Sequence, residues 1–464
     1  MNKTGKLLAG ASGIVTAMLL TTGAQAVDLR EAVATAVSSN PEIGQAVASR
    51  EAIEYERRQA QGLYGPRLDV ESSAGVRKLI NPTRRSLGIA SDTLWPVELS
   101  ATVDQLLIDF GVARNEVKRQ AARTDGAALR VEERSEFVAL NVSRYYFDYM
   151  LQQRIVAAAQ DNATFHERLV GDLQEGVRQG SISIADQQQA EERLQAARTK
   201  LTEALEDQEN ADIAFRQVAG IPIGQPTIPP DFRGQGPSTL DEAVDAARMT
   251  HPRVLEAMAD VDAAKATAKK AEAELAPRIS LEGRFRTGND IDGFSGPTDD
   301  YQARVVLRWT PFDSGINHFK WREMQRREGQ ARARVNEMAR QGETDARAAW
   351  VRRESQRKLV GELEQQSKVT DDLILSYRQQ FNVGRRSLLD VLDAQNTRYN
   401  VQVQLETARF AEMYAQYRLL ASTNRLLDAL GVKAPEGANA NARERFRVKP
   451  TPVTEVLEAR SPAQ

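Results

Sequence analysis

From Val97 to Leu106 the chain alternates: Val97, Leu99, Ala101 and Val103 stand against Glu98, Ser100, Thr102 and Asp104. The same two-residue period runs through Leu68, Val70, Ala74 and Val76, through Ile279, Leu281 and Phe285, and through Tyr301, Ala303, Val305, Leu307 and Trp309. A period of two predicts strands with one apolar and one polar face. Four are expected, at about 66–78, 96–108, 277–287 and 301–311. Each strand pair is followed by long helical patterns, at 112–178 and 183–219, then at 316–381 and 385–430. At 1.5 Å per residue the longest span about 100 Å, which a globular core does not require. Their seams step by three and four: Leu194, Ala197, Leu201, Ala204, Gln208, Ala211, Phe215 and Val218, and later Leu392, Asn396, Tyr399, Val403, Glu406, Phe410, Met413, Tyr417 and Leu420. That spacing is a coiled-coil seam, and its alanines permit close approach.

The two halves also match each other. LREAVATAVSSNPEI from Leu29 aligns with LDEAVDAARMTHPRV from Leu240, and GPRLDV from Gly65 with APRISL from Ala276. LIDFG ending at Gly111 aligns with PFDSG ending at Gly315, and RQGSISIADQQQA from Arg178 with NVGRRSLLDVLDA from Asn382. Matched blocks in the same order define an internal duplication. The first repeat is expected over 27–220, a linker over 221–239, the second repeat over 240–432, and a flexible tail over 433–464.

Residues 1–26 read as a secretory leader: Lys3 and Lys6, then an apolar run, then Ala24-Gln25-Ala26 as a small-x-small cleavage site. The absence of cysteine removes disulfides, thiol chemistry and a lipid-bearing cysteine, and three histidines give too little for a zinc or haem site. No cofactor is expected. The 62 basic and 64 acidic residues are nearly balanced, so no nucleic-acid partner is expected. None of the hydrolase, P-loop or zincin motifs occurs, which argues against an enzyme. An exported chain whose strands are amphipathic can cross lipid as a β-barrel. The plainer reading is two amphipathic hairpins on a soluble core. Four strands cannot close a membrane barrel, whereas three copies would supply twelve.

The leader, the duplication, the strand–strand–long-helix order, the Asn40-Pro41-Glu42 and Asp109-Phe110-Gly111 segments, and VGRRSLLDVLDAQ from Val383 together resemble the TolC family of trimeric outer-membrane export channels. The resemblance covers about Asp28 to Val432. Asp109-Phe110-Gly111 and the Arg-Gln-Gly-Ser segment, without a lipidation cysteine, point to its type I secretion branch. It implies a mixed α+β membrane protein, a homotrimer in which four strands per protomer complete a twelve-stranded barrel in outer-membrane lipid. Long helices would form a periplasmic tunnel. It further implies a passive conduit for proteins or small molecules, served by a periplasmic adaptor protein and an inner-membrane transporter. Asp390 and Asp393 match the family's entrance aspartates; six carboxylates around one axis would favour cations. Arg386 falls on the gate arginine, and Asp186, read as its position in the first repeat, on the matching gate acid, so an Arg386–Asp186 contact across hairpins or protomers is expected. Phe381 stands where the family can carry a gate tyrosine, and Arg385 adds a second base. Arg278, Arg284, Arg304 and Arg308 would face the barrel lumen.

The plainer reading of Asp390 and Asp393 is two acids favoured by the helix N-terminal dipole, at about 0.3–1 kcal/mol each. The competing reading of the whole chain is a periplasmic coiled-coil adaptor or structural protein without a barrel.

Overall fold

The computed structural model describes residues 26–457. Apart from Ala26, the leader lies outside the described residues. After α1 (Leu29–Ser39) and α2 (Pro41–Gly62) come β1 (Arg67–Ala74), β2 (Val97–Ile108), α3 (Val112–Arg178) and α4 (Ile184–Ala219). The second half runs α5 (Leu240–Met249), α6 (Pro252–Ala273), β3 (Arg278–Asn289), β4 (Pro297–Arg308), α7 (Ile316–Asn382) and α8 (Leu388–Ser422), followed by α9 (Leu426–Leu430). Helices α3 and α7 each have 67 residues, about 100 Å of rise.

Local chemistry repeats with the sequence. Asn40 and His251 cap α2 and α6, each side chain accepting from a backbone N–H two residues on, with proline at the first helical position. Asp109 and Asp313 turn strand into helix. The Asp109 carboxylate accepts from Gly111 N at 2.9 Å and Ala113 N at 2.6 Å, and Asp313 accepts from Gly315 N at 3.0 Å and Asn317 N at 2.9 Å. Asp109-Phe110-Gly111 is therefore a capped corner, with Gly111 in the left-handed region that its backbone requires.

The strands form one antiparallel sheet in the order β1-β2-β3-β4. Leu68 lies opposite Val103, Ala101 opposite Phe285, and Leu281 opposite Val305, so one face is apolar across all four strands. The other face pairs Asp69 with Thr102, Asp104 with Glu282, and Glu282 with Arg304. The apolar face is not covered: Leu68, Val70, Tyr301, Val305 and Leu307 are exposed. Strands β1 and β4 each pair along one edge only. Two expected spans need correction. Strand β1 ends at Ala74 rather than about 78, because Gly75 breaks it and Arg77–Lys78 pairs separately with Thr93–Leu94. Strand β4 starts at Pro297, opposite Asn289, and ends at Arg308 rather than about 311. The next pair would set Trp309 opposite Pro277, which has no N–H to continue the ladder.

The main core lies midway along α3, where the last turns of α4 and α8 meet it. Leu29, Val33, Tyr146, Phe147, Phe215, Tyr417 and Leu426 meet there. The linker is part of it: Ile223 and Phe232 are buried, Gln225–Pro226 pairs with Ala26–Val27, and the Tyr146 hydroxyl donates to the carbonyls of Val27 and Thr227 at 2.9 and 2.7 Å.

The expectation of a flexible tail is corrected by the packing of residues 433–457. Arg443 lies buried between two carboxylates, with Nε 2.7 Å from Asp125 of α3 and Nη1 2.7 Å from Asp262 of α6. Ala442 N donates to Asp125 at 2.6 Å and the Thr451 hydroxyl to Asp262 at 2.6 Å. Val456 and Leu457 sit with Val254, Met258 and Val335 on α6 and α7. A segment without periodicity is anchored here by buried charge and a few apolar side chains.

Candidate functional site: the two helix turns and the arginine-bearing sheet face

The ends of α3 and α7 turn in the same way. Gly180 and Gly384 both have φ near +70°, and each residue after them donates its N–H back to the carbonyl five positions earlier, Ser181 to Gly176 and Arg385 to Gln380, both at 2.9 Å. This is the left-handed glycine closure of a helix C-terminus. Three residues on, Ser183 and Ser387 start the return helices. The Ser183 Oγ accepts from Asp186 N at 3.1 Å and donates to its carboxylate at 2.7 Å. Ser387 does the same with Asp390, at 3.2 and 2.7 Å, and Ser387 N also donates to the Asp390 carboxylate at 3.3 Å. The second turn is a full capping box.

Asp186 is the repeat counterpart of Asp390, not of Arg386, whose counterpart by the same offset is Ile182. The Ser-x-x-Asp pattern, Ser183 to Asp186 and Ser387 to Asp390, marks both turns in the sequence. The hydrogen bond from the Ser387 hydroxyl, aided by Ser387 N–H and Arg386, holds the Asp390 carboxyl below the usual carboxylate range. Asp390 therefore caps its helix and stays ionised. Asp393, one turn later, is exposed and makes no ion pair among the described residues. Its first-repeat counterpart is Gln189, so the second repeat carries the additional acid.

Arg386 does not reach Asp186 within the protomer. Its guanidinium lies 4.2 Å over the Tyr377 ring, its Nε donates to Gln380 Oε1 at 3.2 Å, and Nη1 is 3.8 Å from Asp390. All three partners flank the same turn, so the local helix geometry satisfies the side chain first. Arg385 is exposed and without an ion pair among the described residues. Phe381 is half-buried against Leu388, Leu392 and Val391, and an apolar ring suits that place.

The two hairpins are joined by packing: Val170 and Leu173 of α3, Ala190 and Leu194 of α4, and Leu388 and Leu392 of α8 form one cluster. Further from the turns, Arg398 of α8 bonds Asp371 of α7 at 2.6 Å and Asp161 of α3 at 3.1 Å. This link between hairpins was not anticipated, since neither acid shares a motif with Arg398.

On the sheet's polar face the arginines are largely matched by acids. Arg278 lies 3.8 Å from Asp104, Arg304 lies 2.9 Å from Glu282, and Arg308 also bonds Glu282. Arg284 has no ion pair among the described residues. Arg286, not singled out from sequence, sits among Glu98 at 3.8 Å, Asp292 at 2.5 Å and Asp300 at 3.9 Å. Matched charges of this kind solvate a polar surface and contribute little net energy.

A twice-written chain of paired strands and 100 Å helices defines a class, and the family model for outer membrane efflux proteins matches it over residues 32–221 and 243–432. The chain belongs to the outer membrane efflux protein family, a family of outer-membrane channels rather than enzymes. It is 26% identical over 344 residues to the outer membrane efflux protein BepC of Brucella suis, covering 72% of this chain and 74% of that one. Its fold is similar to the Campylobacter jejuni CmeC outer membrane channel, with TM-score 0.75, 14% identity, and 90% and 89% of the two chains covered. It is also similar to the Vibrio cholerae outer membrane protein VceC, with TM-score 0.73, 15% identity, and 88% and 97% covered.

Proposed function

We propose that three copies of this chain close a twelve-stranded barrel and form a passive channel-tunnel, gated at its periplasmic end. The observation that carries this reading is the open four-stranded sheet with an exposed apolar face and two unpaired edges. A bilayer does not tolerate open edges, so strands that enter lipid must find partners, and copies of the same chain offer matching edges. The arginine-bearing face then lines the lumen, and the α3–α4 and α7–α8 turns lie at the periplasmic end of the helices. Cargo enters there from an inner-membrane transporter joined through a periplasmic adaptor protein. Three Asp390–Asp393 pairs would ring the axis and favour cations. An Arg386–Asp186 contact belongs between protomers, where the stacked Arg386 can exchange the partners that flank its own turn for a neighbour. We read the cargo as efflux substrates, in line with the BepC likeness. The type I secretion alternative rests on segments such as Asp109-Phe110-Gly111 that serve here as helix caps.

Purified protein in a planar lipid bilayer under a salt gradient tests this. Cation-selective openings are expected, with selectivity lost in the Asp390→Ala, Asp393→Ala double variant. An unchanged reversal potential would remove the aspartate ring. Recovery of the chain in the soluble periplasmic fraction would sink the channel reading and favour the coiled-coil adaptor.

A further inference from the structure

The four helices beneath the sheet pack side by side in strand order, α2-α3-α6-α7. Helices α3 and α6 run antiparallel, and the two faces of their seam differ. One face carries a ladder of ion pairs, Glu133–Arg253, Arg130–Glu256 and Glu116–Lys270, in which each step along α3 is matched by an equal step back along α6. The other face is crossed by the C-terminal segment, through Asp125, Arg443 and Asp262. One heptad nearer the sheet, on that same face, Asp125 is followed by Lys118 and Asp262 by Lys269. By the register of the ladder these two lysines stand at nearly the same height. Arg114 lies one turn beyond Lys118.

Arg114 and Lys269 are exposed, Lys118 is half-buried, and none of the three makes an ion pair among the described residues. The nearby acids do not neutralise them. Glu116 is turned to the ladder face with Arg119 and Lys270, Asp109 caps α3, and Glu272 is exposed and makes no ion pair among the described residues. Burial, with the charges of Arg114 and Lys269 beside it, holds the Lys118 ammonium below its ordinary range. Between its two anchors the C-terminal segment adds Arg445, Arg447 and Lys449, all exposed, against Glu444.

We propose that Arg114, Lys118 and Lys269 hold the phosphate of an anionic phospholipid at the base of the sheet. The inference rests on the conduit reading, in which the sheet stands in lipid. Height fits: Arg114 and Lys118 lie about 3 and 9 Å of helix rise from the first residue of α3, which follows β2 after a three-residue corner. Access fits too, because the patch sits on the two central helices of the layer, away from the outer helices α2 and α7 that a further copy would meet. The chemistry selects among lipids. Arginine offers a fork and the lysines point charges to a phosphate, whereas a zwitterionic headgroup brings its own ammonium into a patch that is already positive.

The test is native mass spectrometry of the full-length protein released from nanodiscs that hold phosphatidylglycerol and phosphatidylethanolamine in equal parts. The wild type should retain phosphatidylglycerol over phosphatidylethanolamine by about tenfold or more, and the preference should fall as ammonium acetate is raised. The triple variant Arg114→Gln, Lys118→Gln, Lys269→Gln should come within about twofold of parity. The variant Arg357→Gln, Lys358→Gln, Lys368→Gln, with the same change of charge at exposed positions further along α7, should keep the preference. Equal retention of the two lipids by the wild type would overturn the proposal and leave the channel reading standing, since the chain is then in the disc. A preference that survives the triple variant, an equal loss in the α7 variant, or displacement of the lipid by millimolar inorganic phosphate would also overturn it. A chain that does not enter nanodiscs removes this proposal and the conduit together. The wild-type preference and its salt dependence are read without any variant, so they decide the matter even where a variant fails to fold.

Discussion

Replacing Arg443 by methionine keeps most of the side chain's length and removes its charge. In the folded chain it would leave two buried carboxylates facing an apolar stem. Asp125 would retain the backbone N–H groups of Ala442 and Arg443, and Asp262 would retain Thr451. Removing one member of a buried ion pair costs about 3–5 kcal/mol, and the surviving backbone bonds place this case near the lower end, about 3 kcal/mol. The loss is local, because residues 442–457 touch α3, α6 and α7 while the main core around Tyr146 and Phe215 is untouched. At about 1.4 kcal/mol per factor of ten, amide exchange across 442–457 should accelerate by about two orders of magnitude. Hydrogen-exchange mass spectrometry reads this directly, and limited trypsin digestion should cut the same segment sooner. Adding Asp125→Asn and Asp262→Asn should recover much of the protection, since no carboxylate is then left unpaired. Unchanged exchange over 442–457, or a loss spread evenly through the chain, would refute the reasoning.

Three further outcomes concern the hairpins. Ser387→Ala removes a cap and should destabilise the first turn of α8 by about 1 kcal/mol, seen as faster exchange at residues 388–392. Because the folded Asp390 carboxyl titrates below its ordinary value, its contribution is present above that ordinary value and is lost as pH falls through the folded one, so protection of the turn should be flat at neutral pH and decline only in acid. Arg398→Gln breaks the links to Asp371 and Asp161; at about 0–1 kcal/mol for each partly exposed pair, the hairpins should part more readily, raising the frequency of large openings in single-channel records. Unchanged opening statistics would remove Arg398 from any gating role.

The sequence by itself determined what depends on local periodicity and on matched blocks. The two-residue alternation set the faces of the sheet, and the observed register keeps Leu68, Ala101, Phe285 and Tyr301 on one side. The three–four seam of α4 holds too: Leu194, Ala197, Ala204, Ala211 and Phe215 are buried. For α8 the seam was half the answer. Tyr399 and Tyr417 are buried as read, but so are Leu405, Ala408 and Leu419, because α8 packs against α7 as well as α3 and buries a second stripe. Only the tertiary structure decided the remaining points, all of which join residues distant in the chain: Arg443 between Asp125 and Asp262, Arg398 between two hairpins, Glu136 under α9. Nothing in the sequence neighbourhood of any of the three charged residues marks it for burial, and solvation is the ordinary fate of such a residue. Its burial and its partners are set by helices crossing at one point, and a one-dimensional pattern carries no record of that crossing.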